Sequence, residues 1–145
     1  MGSLNLPSSW IVYVDTAPVI YSVEKHPDYS ALLDPLWAAS ELGQIRIIGS
    51  ELILLEILTG AFKRNDPQLV ADYEKVLTAA EIKLIPISPA LLRQAARLRA
   101  TINLKTPDAI HAATALANGC VQLITNDKDL KRVTMLDVAV LSEIV

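Results

Sequence analysis

Cysteine is almost absent. One residue, Cys120, in a chain of 145 excludes an internal disulfide and a cysteine-based zinc site. It fits a small apolar residue entering a strand. Long apolar runs are missing too. The longest stretch free of Asp, Glu, Lys and Arg runs from Ala109 to Asn126 and still contains His, Thr, Asn, Gly and Gln, so no segment reads as a membrane span. Met1 to Trp10 lacks the basic region and apolar core of a signal peptide, and a cytoplasmic protein is expected. There is no basic surplus: the net charge is −3, so any phosphate recognition must be local or metal-borne. No glycine-rich phosphate loop is present, and no Cys-His or Ser-His-Asp arrangement stands out.

Apolar side chain, by contrast, is plentiful. A 52% apolar fraction predicts a well-filled core and a buried partner surface besides. The length suits a single domain over 1–145, with residues 1–9 read as a poorly ordered tail. Trp10 to Val14 (WIVYV) reads as a strand buried on both faces, ending at Asp15. A short helix through Tyr21 and Val23 follows, then a helical stretch from Tyr29 to Leu42 in which Pro35 means a kink or a start only at Asp34. Gly43-Gln44 turns into a strand over Ile45 to Ile48, and Ser50 is a natural N-cap for a helix from Glu51 to about Phe62. Asp66-Pro67 opens a helix with Leu69, Val70, Tyr73, Val76, Leu77 and Ala80 inward, and Ile82 to Ile85 is the third strand. Ser88-Pro89 opens a helix with Leu91, Ala95, Leu98 and Ile102 on one face. Thr106 reads as the N-cap of a helix that Gly119 closes, Cys120 to Thr125 as a strand, and about Met135 to Leu141 as the last one. Strands alternating with helices predict right-handed crossovers and an α/β fold of three layers, with four or five mostly parallel strands. Self-association is expected through the helix around Leu69 to Leu77 or the one around Leu91 to Leu98.

The chemistry lies in the acids. Asp15 follows a strand, and its bland role is a helix N-cap. Asp108 in a first helical turn would complement the helix dipole. Asp127 and Asp129 could shape a polar loop or cap a short helix. Glu56 is harder to explain away, because it interrupts Leu52-Ile53-Leu54-Leu55-Glu56-Ile57-Leu58, a helix apolar on nearly every side. Its bland alternatives are an ion pair with Arg46, Lys63 or Arg64, or a narrow solvent-facing stripe. Yet βα topology sends Asp15, Glu56, Asp108 and Asp127 to one edge of the sheet, where ligands of α/β folds bind. Carboxylates ~5 Å apart repel by roughly 3 kcal/mol at an effective dielectric of ~20, so such a group needs a cation or a shared proton. Oxygen-only ligands suit Mg²⁺ or Mn²⁺ rather than zinc, and such a site suits attack of water on a phosphodiester. His26, beside a proline, reads as a loop residue. His111 lies three residues after Asp108 and is either a metal ligand or a hydrogen-bonded packing histidine.

Four pieces of the chain, in this order and spacing, resemble the PIN domain. They are Val12-Tyr13-Val14-Asp15-Thr16; Ser50 followed by Glu56; Thr106-Pro107-Asp108-Ala109-Ile110-His111-Ala112-Ala113-Thr114-Ala115; and Thr125-Asn126-Asp127-Lys128-Asp129. The resemblance covers nearly everything after the first nine residues, and the layout looks most like the VapC-type toxins of type II toxin–antitoxin modules. It implies a Mg²⁺- or Mn²⁺-dependent ribonuclease in which Asp15, Glu56, Asp108 and Asp127 form the catalytic, metal-holding quartet. Thr125 would be the supporting hydroxyl of a Thr-x-Asp piece, with Asp129 competing with Asp127 for the fourth place. It also implies homodimers, an RNA substrate, and a cognate antitoxin covering the site. Leu130 stands where an aromatic is common after the second aspartate. Lys105, Lys128 and Arg132 are candidate phosphate contacts by their nearness in sequence to the acids. Other classes fit less well. A haloacid-dehalogenase-like phosphatase would want an acid where Ala17 stands, and a receiver-like domain would want an acidic pair before its phospho-acceptor. A non-toxin PIN nuclease of RNA processing and a non-catalytic interaction module are the alternatives.

Overall fold

The computed structural model describes residues 2–4, 11–79 and 81–144. Five parallel strands lie in the order β3-β2-β1-β4-β5. They are β1 (Ile11–Val14), β2 (Arg46–Ser50), β3 (Ile82–Ile85), β4 (Gln122–Thr125) and β5 (Asp137–Val140). The central strand is the apolar run read from the sequence; Trp10, its expected first residue, lies outside the described residues. Its side chains alternate between two cores, as a pleated strand requires. Val12 and Val14 enter one, with α1 (Thr16–Val23), α2 (Ser30–Glu41), α3 (Leu52–Lys63) and α4 (Pro67–Thr78). Tyr13 enters the other, with α5 (Pro89–Ile102) and α6 (Thr106–Ala117). The three layers are therefore helix, sheet, helix. A short 3₁₀ helix (Lys128–Arg132) links β4 to β5, and α7 (Leu141–Ile144) ends the described chain. Among the described residues no helix is long and apolar enough to cross a membrane.

Of the helix starts read from Ser50, Asp66, Ser88 and Thr106, all but one follow the local chemistry. Asp66 accepts from the Leu69 N–H at 3.0 Å, and Ser88 from the Leu91 N–H at 3.1 Å. Each satisfies a donor that the first turn leaves orphaned. Ser50 is the last residue of β2, and its Oγ accepts from the Leu52 N–H at 3.0 Å, so it serves α3 from one residue further back than a formal N-cap. Thr106 is the exception. It is the first helical residue of α6 rather than its cap; Lys105 holds the extended N-cap position, and no side chain caps the helix. Pro107 therefore sits one position deeper than expected, still within the turn where its missing N–H costs nothing. Of the two alternatives at Pro35, the structure takes the longer helix: α2 starts at Ser30 and runs through the proline.

Gly119 closes α6 with φ +66, the left-handed conformation that favours glycine. β4 then begins at Gln122, leaving Cys120 half-buried just before the strand. The last strand is shorter than read, because Leu141 already belongs to α7. Of the expected tail, Leu4 packs against the first core, while Met1 and residues 5–9 lie outside the described residues, as does Ala80. Of the two helices expected to self-associate, the inward side chains are unavailable, while Leu92 of α5 stays exposed. Leu69, Tyr73 and Leu77, like Leu91, Ala95 and Leu98, are buried in the chain's own cores. Among the described residues, the large apolar side chains that do face solvent are Leu42, Leu55, Phe62, Leu92, Val121 and Met135.

Candidate active site and metal centre

The site lies at the carboxyl edge of the sheet, built from the ends of β1 and β4 and the first turns of three helices. Asp15 follows β1, and its N–H continues the ladder to the Ile124 carbonyl at 3.3 Å. It occupies the N-cap position of α1 but makes no capping hydrogen bond, so the bland reading of this residue fails. Its Oδ2 accepts instead from the Thr125 hydroxyl, and its buried Oδ1 has no partner among the described residues. Burial pushes its pKa up to about 6; His111 and Thr125 ease that rise, while Glu56 and Asp127 add to it. Asp15 thus feels two of the other predicted acids directly.

Asp108 stands in the first turn of α6, buried, with Oδ2 unpartnered among the described residues. Burial raises its pKa, and the neighbouring Asp127 raises it further. Asp127 caps the 3₁₀ helix by accepting from the Asp129 N–H at 2.9 Å, and its own N–H donates to the Thr125 hydroxyl at 2.9 Å. Thr125 therefore joins Asp15 to Asp127. Asp108, Asp127 and Asp129 each bring a carboxylate oxygen within 4.8 Å of the others. Asp129, weighed above as a loop residue, belongs to this cluster, and it also accepts from Arg132 at 3.2 Å. Asn126 braces the loop: its amide donates to Tyr21 at 3.0 Å and accepts from the Ser142 N–H at 2.8 Å.

Glu56 lies half-exposed on the second turn of α3. None of the cations proposed for it is its partner; Arg64 pairs with Glu24 at 2.6 Å. Glu56 Oε1 accepts from Thr16 Oγ1 at 2.7 Å and meets His111 Nε2 at 2.9 Å. Burial disfavours its charge, but the hydrogen bonds from His111 and Thr16 outweigh that and hold its pKa below the ordinary carboxylate value. His111 is 3% exposed and also meets the Tyr13 hydroxyl through Nδ1 at 2.6 Å. It is the hydrogen-bonded packing histidine of the two alternatives and stands outside the three-aspartate cluster.

The remaining candidates divide. Lys105 and Lys128 are exposed and close in sequence to Asp108 and Asp127, whereas Arg132 is engaged with Asp129 and with the Asn103 carbonyl at 3.4 Å. Leu130 is fully buried in the second core and fills the place expected of an aromatic. Sequence reasoning missed Thr16 and Tyr13 as partners of the site. A hydroxyl beside Asp15 at a helix start was a usable signal for Thr16. Nothing in an apolar strand announces that Tyr13 will meet a histidine 98 residues away.

The sequence profile of the PIN domain matches residues 12–136. The chain belongs to the PIN domain family. Three solved structures resemble this PIN domain along nearly their whole length. VapBC2 from Rickettsia felis, bound to a DNA fragment from their promoter, is 22% identical with a TM-score of 0.72, covering 89% of this chain and 97% of that one. A toxin–antitoxin complex from Klebsiella pneumoniae is 24% identical, with a TM-score of 0.65 and coverages of 90% and 97%. VapBC-1 from nontypeable Haemophilus influenzae is 21% identical, with a TM-score of 0.68 and coverages of 91% and 98%. At these identities the likeness is one of fold. No curated protein gives a significant sequence match to this PIN domain.

The three-aspartate cluster suits a hard divalent cation. It is all oxygen and concentrates negative charge; Asp15 and Glu56 stand outside it, and Asp108 Oδ2 within it and Asp15 Oδ1 outside it are buried with no hydrogen-bond partner among the described residues. Buried polar atoms without partners are rare in folded proteins, and an ion is among the few things that account for them.

Proposed function

We propose that this PIN domain hydrolyses phosphodiester bonds of RNA with Mg²⁺ or Mn²⁺, as the toxin of a toxin–antitoxin pair in the cytoplasm. The observation that supports the reading is the cluster of Asp108, Asp127 and Asp129, each with a carboxylate oxygen within 4.8 Å of the others, together with the unpartnered buried oxygens of Asp15 and Asp108. Asp15, Glu56, Asp108 and Asp127 would hold the cation, with Asp129 flanking. When bound, it supplies positive charge against the charge that develops on the phosphoryl oxygens.

The chain's own residues do the rest. Thr125 orients Asp15 by donating to Oδ2, which turns Oδ1 free. Glu56, held ionised by Thr16 and His111, is a carboxylate able to take a proton from attacking water. Lys105 and Lys128, exposed at the rim, would meet the flanking phosphates. With a net charge of −3 the protein has few other means of gripping RNA, so these contacts should be local and salt-sensitive.

The antitoxin partner rests on the likeness to chains solved as VapBC and toxin–antitoxin complexes. A homodimer rests on the exposed apolar residues, Leu55 and Phe62 of α3 foremost. The test is cleavage of a defined RNA by the purified chain with Mg²⁺, with Mn²⁺ and with chelator, beside Asp108→Asn. Cleavage that survives chelation, or that Asp108→Asn leaves intact, would sink the reading. Toxicity on expression, relieved by a small DNA-binding protein encoded beside the gene, tests the toxin assignment separately.

A further inference from the structure

The two predicted histidines have different fates, and one of them stands where no solvent-exposed role is possible. His111 is buried on α6 and links Tyr13 in the central strand to Glu56 on α3. An ionised carboxylate only accepts, so the bond between His111 Nε2 and Glu56 requires the proton on Nε2. In the neutral ring Nδ1 then accepts from the Tyr13 hydroxyl, whose burial keeps it protonated. Thr16 donates to the same oxygen, Oε1. Both hydrogen bonds thus fall on one side of the carboxylate, and Oε2 has none among the described residues.

We propose that His111 is a positioning residue for Glu56: backed by Tyr13, it fixes Oε1 together with Thr16 and thereby presents Oε2 to whatever the acidic cluster binds. Three facts support this over simple core packing. The imidazole is 3% exposed, on the stretch of α6 that is buried without a break from Asp108 to Ala115, where a hydrocarbon side chain would need no partners. Both ring nitrogens are nonetheless matched, which is costly to arrange and fixes the ring in one tautomer and one orientation. The far end of the chain of bonds is Glu56, whose charge reaches Asp15. Thr16 alone would leave the carboxylate free to swing about a single hydrogen bond, and α3 is apolar on the flanking positions, offering no other donor.

The inference rests on the proposed nuclease reading only for its activity readout; its binding readout is independent. His111→Gln can carry an amide N–H to the place of Nε2, whereas His111→Asn reaches only the place of Nδ1. Cleavage of a defined RNA and Mn²⁺ titration by calorimetry are measured for both, for Glu56→Gln, and for each combined with Glu56→Gln, alongside thermal melts. His111→Asn should weaken Mn²⁺ binding or cleavage by about 10- to 100-fold, the usual size of such an effect. His111→Gln should restore most of it, and neither change should add further loss once Glu56 is already Gln. If the wild type cleaves no RNA, the nuclease reading fails, but the Mn²⁺ titrations of the same variants still decide the role of His111. Equal losses in His111→Gln and His111→Asn, full additivity with Glu56→Gln, or no binding of Mn²⁺ by the wild type would each overturn the assignment.

Discussion

At the scale of single residues, the site is a set of carboxylates held against their electrostatic preference. Asp15 is the clearest case, since its pKa is pushed up from 3.8 to about 6 by burial first and by neighbouring acids after it. The sign of the consequence follows from proton linkage. Between those two values the folded state binds more protons than the unfolded one, so the residue's penalty is full above about pH 6 and gone below about pH 4. Its size in the metal-free protein is on the order of 3 kcal/mol at pH 7. Asp15→Asn should therefore melt higher than the wild type at pH 7 without metal, with the difference closing as pH falls toward 4, while cleavage is abolished. An N-cap would behave otherwise, because Asn caps as well as Asp and the two proteins would melt alike. Glu56 opposes this trend, because its lowered pKa stabilises the fold above its ordinary value and that stability is lost as pH falls; its charge is coupled to that of Asp15. Thr125→Val tests the same contact from the other side. It leaves Asp15 Oδ2 and the Asp127 N–H without their partner, and should cost roughly 1.5–3 kcal/mol in a urea titration while impairing cleavage. Thr125→Ser should keep most of both. An unchanged unfolding midpoint for Thr125→Val would remove the bridge from the account. Asp15, Asp108 and Asp127 could be placed from the sequence because strand and helix ends are announced by their flanking residues, and Glu56 because it interrupts an apolar helix; Asp129, first weighed as a loop residue, could not. Their hydrogen-bond partners could not, because Tyr13–His111 and Thr125–Asp15 span 98 and 110 residues and have no local signature.

At the scale of elements, the sequence was most legible where a start signal and an apolar face agreed. Ile82–Ile85 and the helices opened by Asp66-Pro67 and Ser88-Pro89 fall where capping and periodicity place them. Misplacements came where two local signals competed. Thr106-Pro107 looks like Asp66-Pro67 and Ser88-Pro89, yet Thr106 is already helical and caps nothing. The buried face of α6 extends without a break from Asp108 to Ala115, and packing against β1 and α5 sets where that helix starts more firmly than a threonine does. Likewise β4 begins two residues after Cys120, because Gly119 in a left-handed conformation and its following residues are spent on the turn out of α6. These differences make a contrast measurable by chemical denaturation. Asp66→Ala and Ser88→Ala should each lose about 1 kcal/mol of stability, since each removes a made cap bond. Thr106→Ala should leave stability unchanged or raise it by a few tenths, since alanine is the better helix former and no cap bond is lost. A loss for Thr106→Ala as large as the other two would restore it as a cap in solution.

At the scale of the whole molecule, charge and apolar surface decide what the protein associates with. The sheet order puts β1 and β4 side by side at the centre, so the acids after both strands face one another without help from any long loop. A cation that binds the folded state alone stabilises it by about 2.7 kcal/mol at a hundredfold excess over its Kd, which for a domain of this size is roughly 5–10 °C in Tm. Mg²⁺ should raise the Tm of the wild type by that order and that of Asp108→Asn by far less. The second association is with another copy of the chain. A standard interface takes about 800 Å² from each partner, close to a tenth of this chain's 7799 Å². Leu69, Tyr73 and Leu77 of α4 and Leu91, Ala95 and Leu98 of α5 are committed to the two cores, and α5 offers Leu92, 46% exposed, as a single apolar side chain. Leu55 and Phe62 remain, 66% and 61% exposed, seven positions apart on α3 and therefore on one side of that helix. Burying both would recover apolar area that folding leaves in water, at about 25 cal/mol per Å². Leu55→Lys with Phe62→Lys should therefore yield a monomer by light scattering at ~50 μM, where dimers with Kd near that scale are already populated. Its unfolding midpoint under dissociating dilution should match the wild type, because neither side chain supports the monomer's core. A single lysine at Leu69 or Leu91 should instead unfold the chain. A wild type already monomeric at that concentration, or a double variant that still dimerises, would remove α3 as the contact.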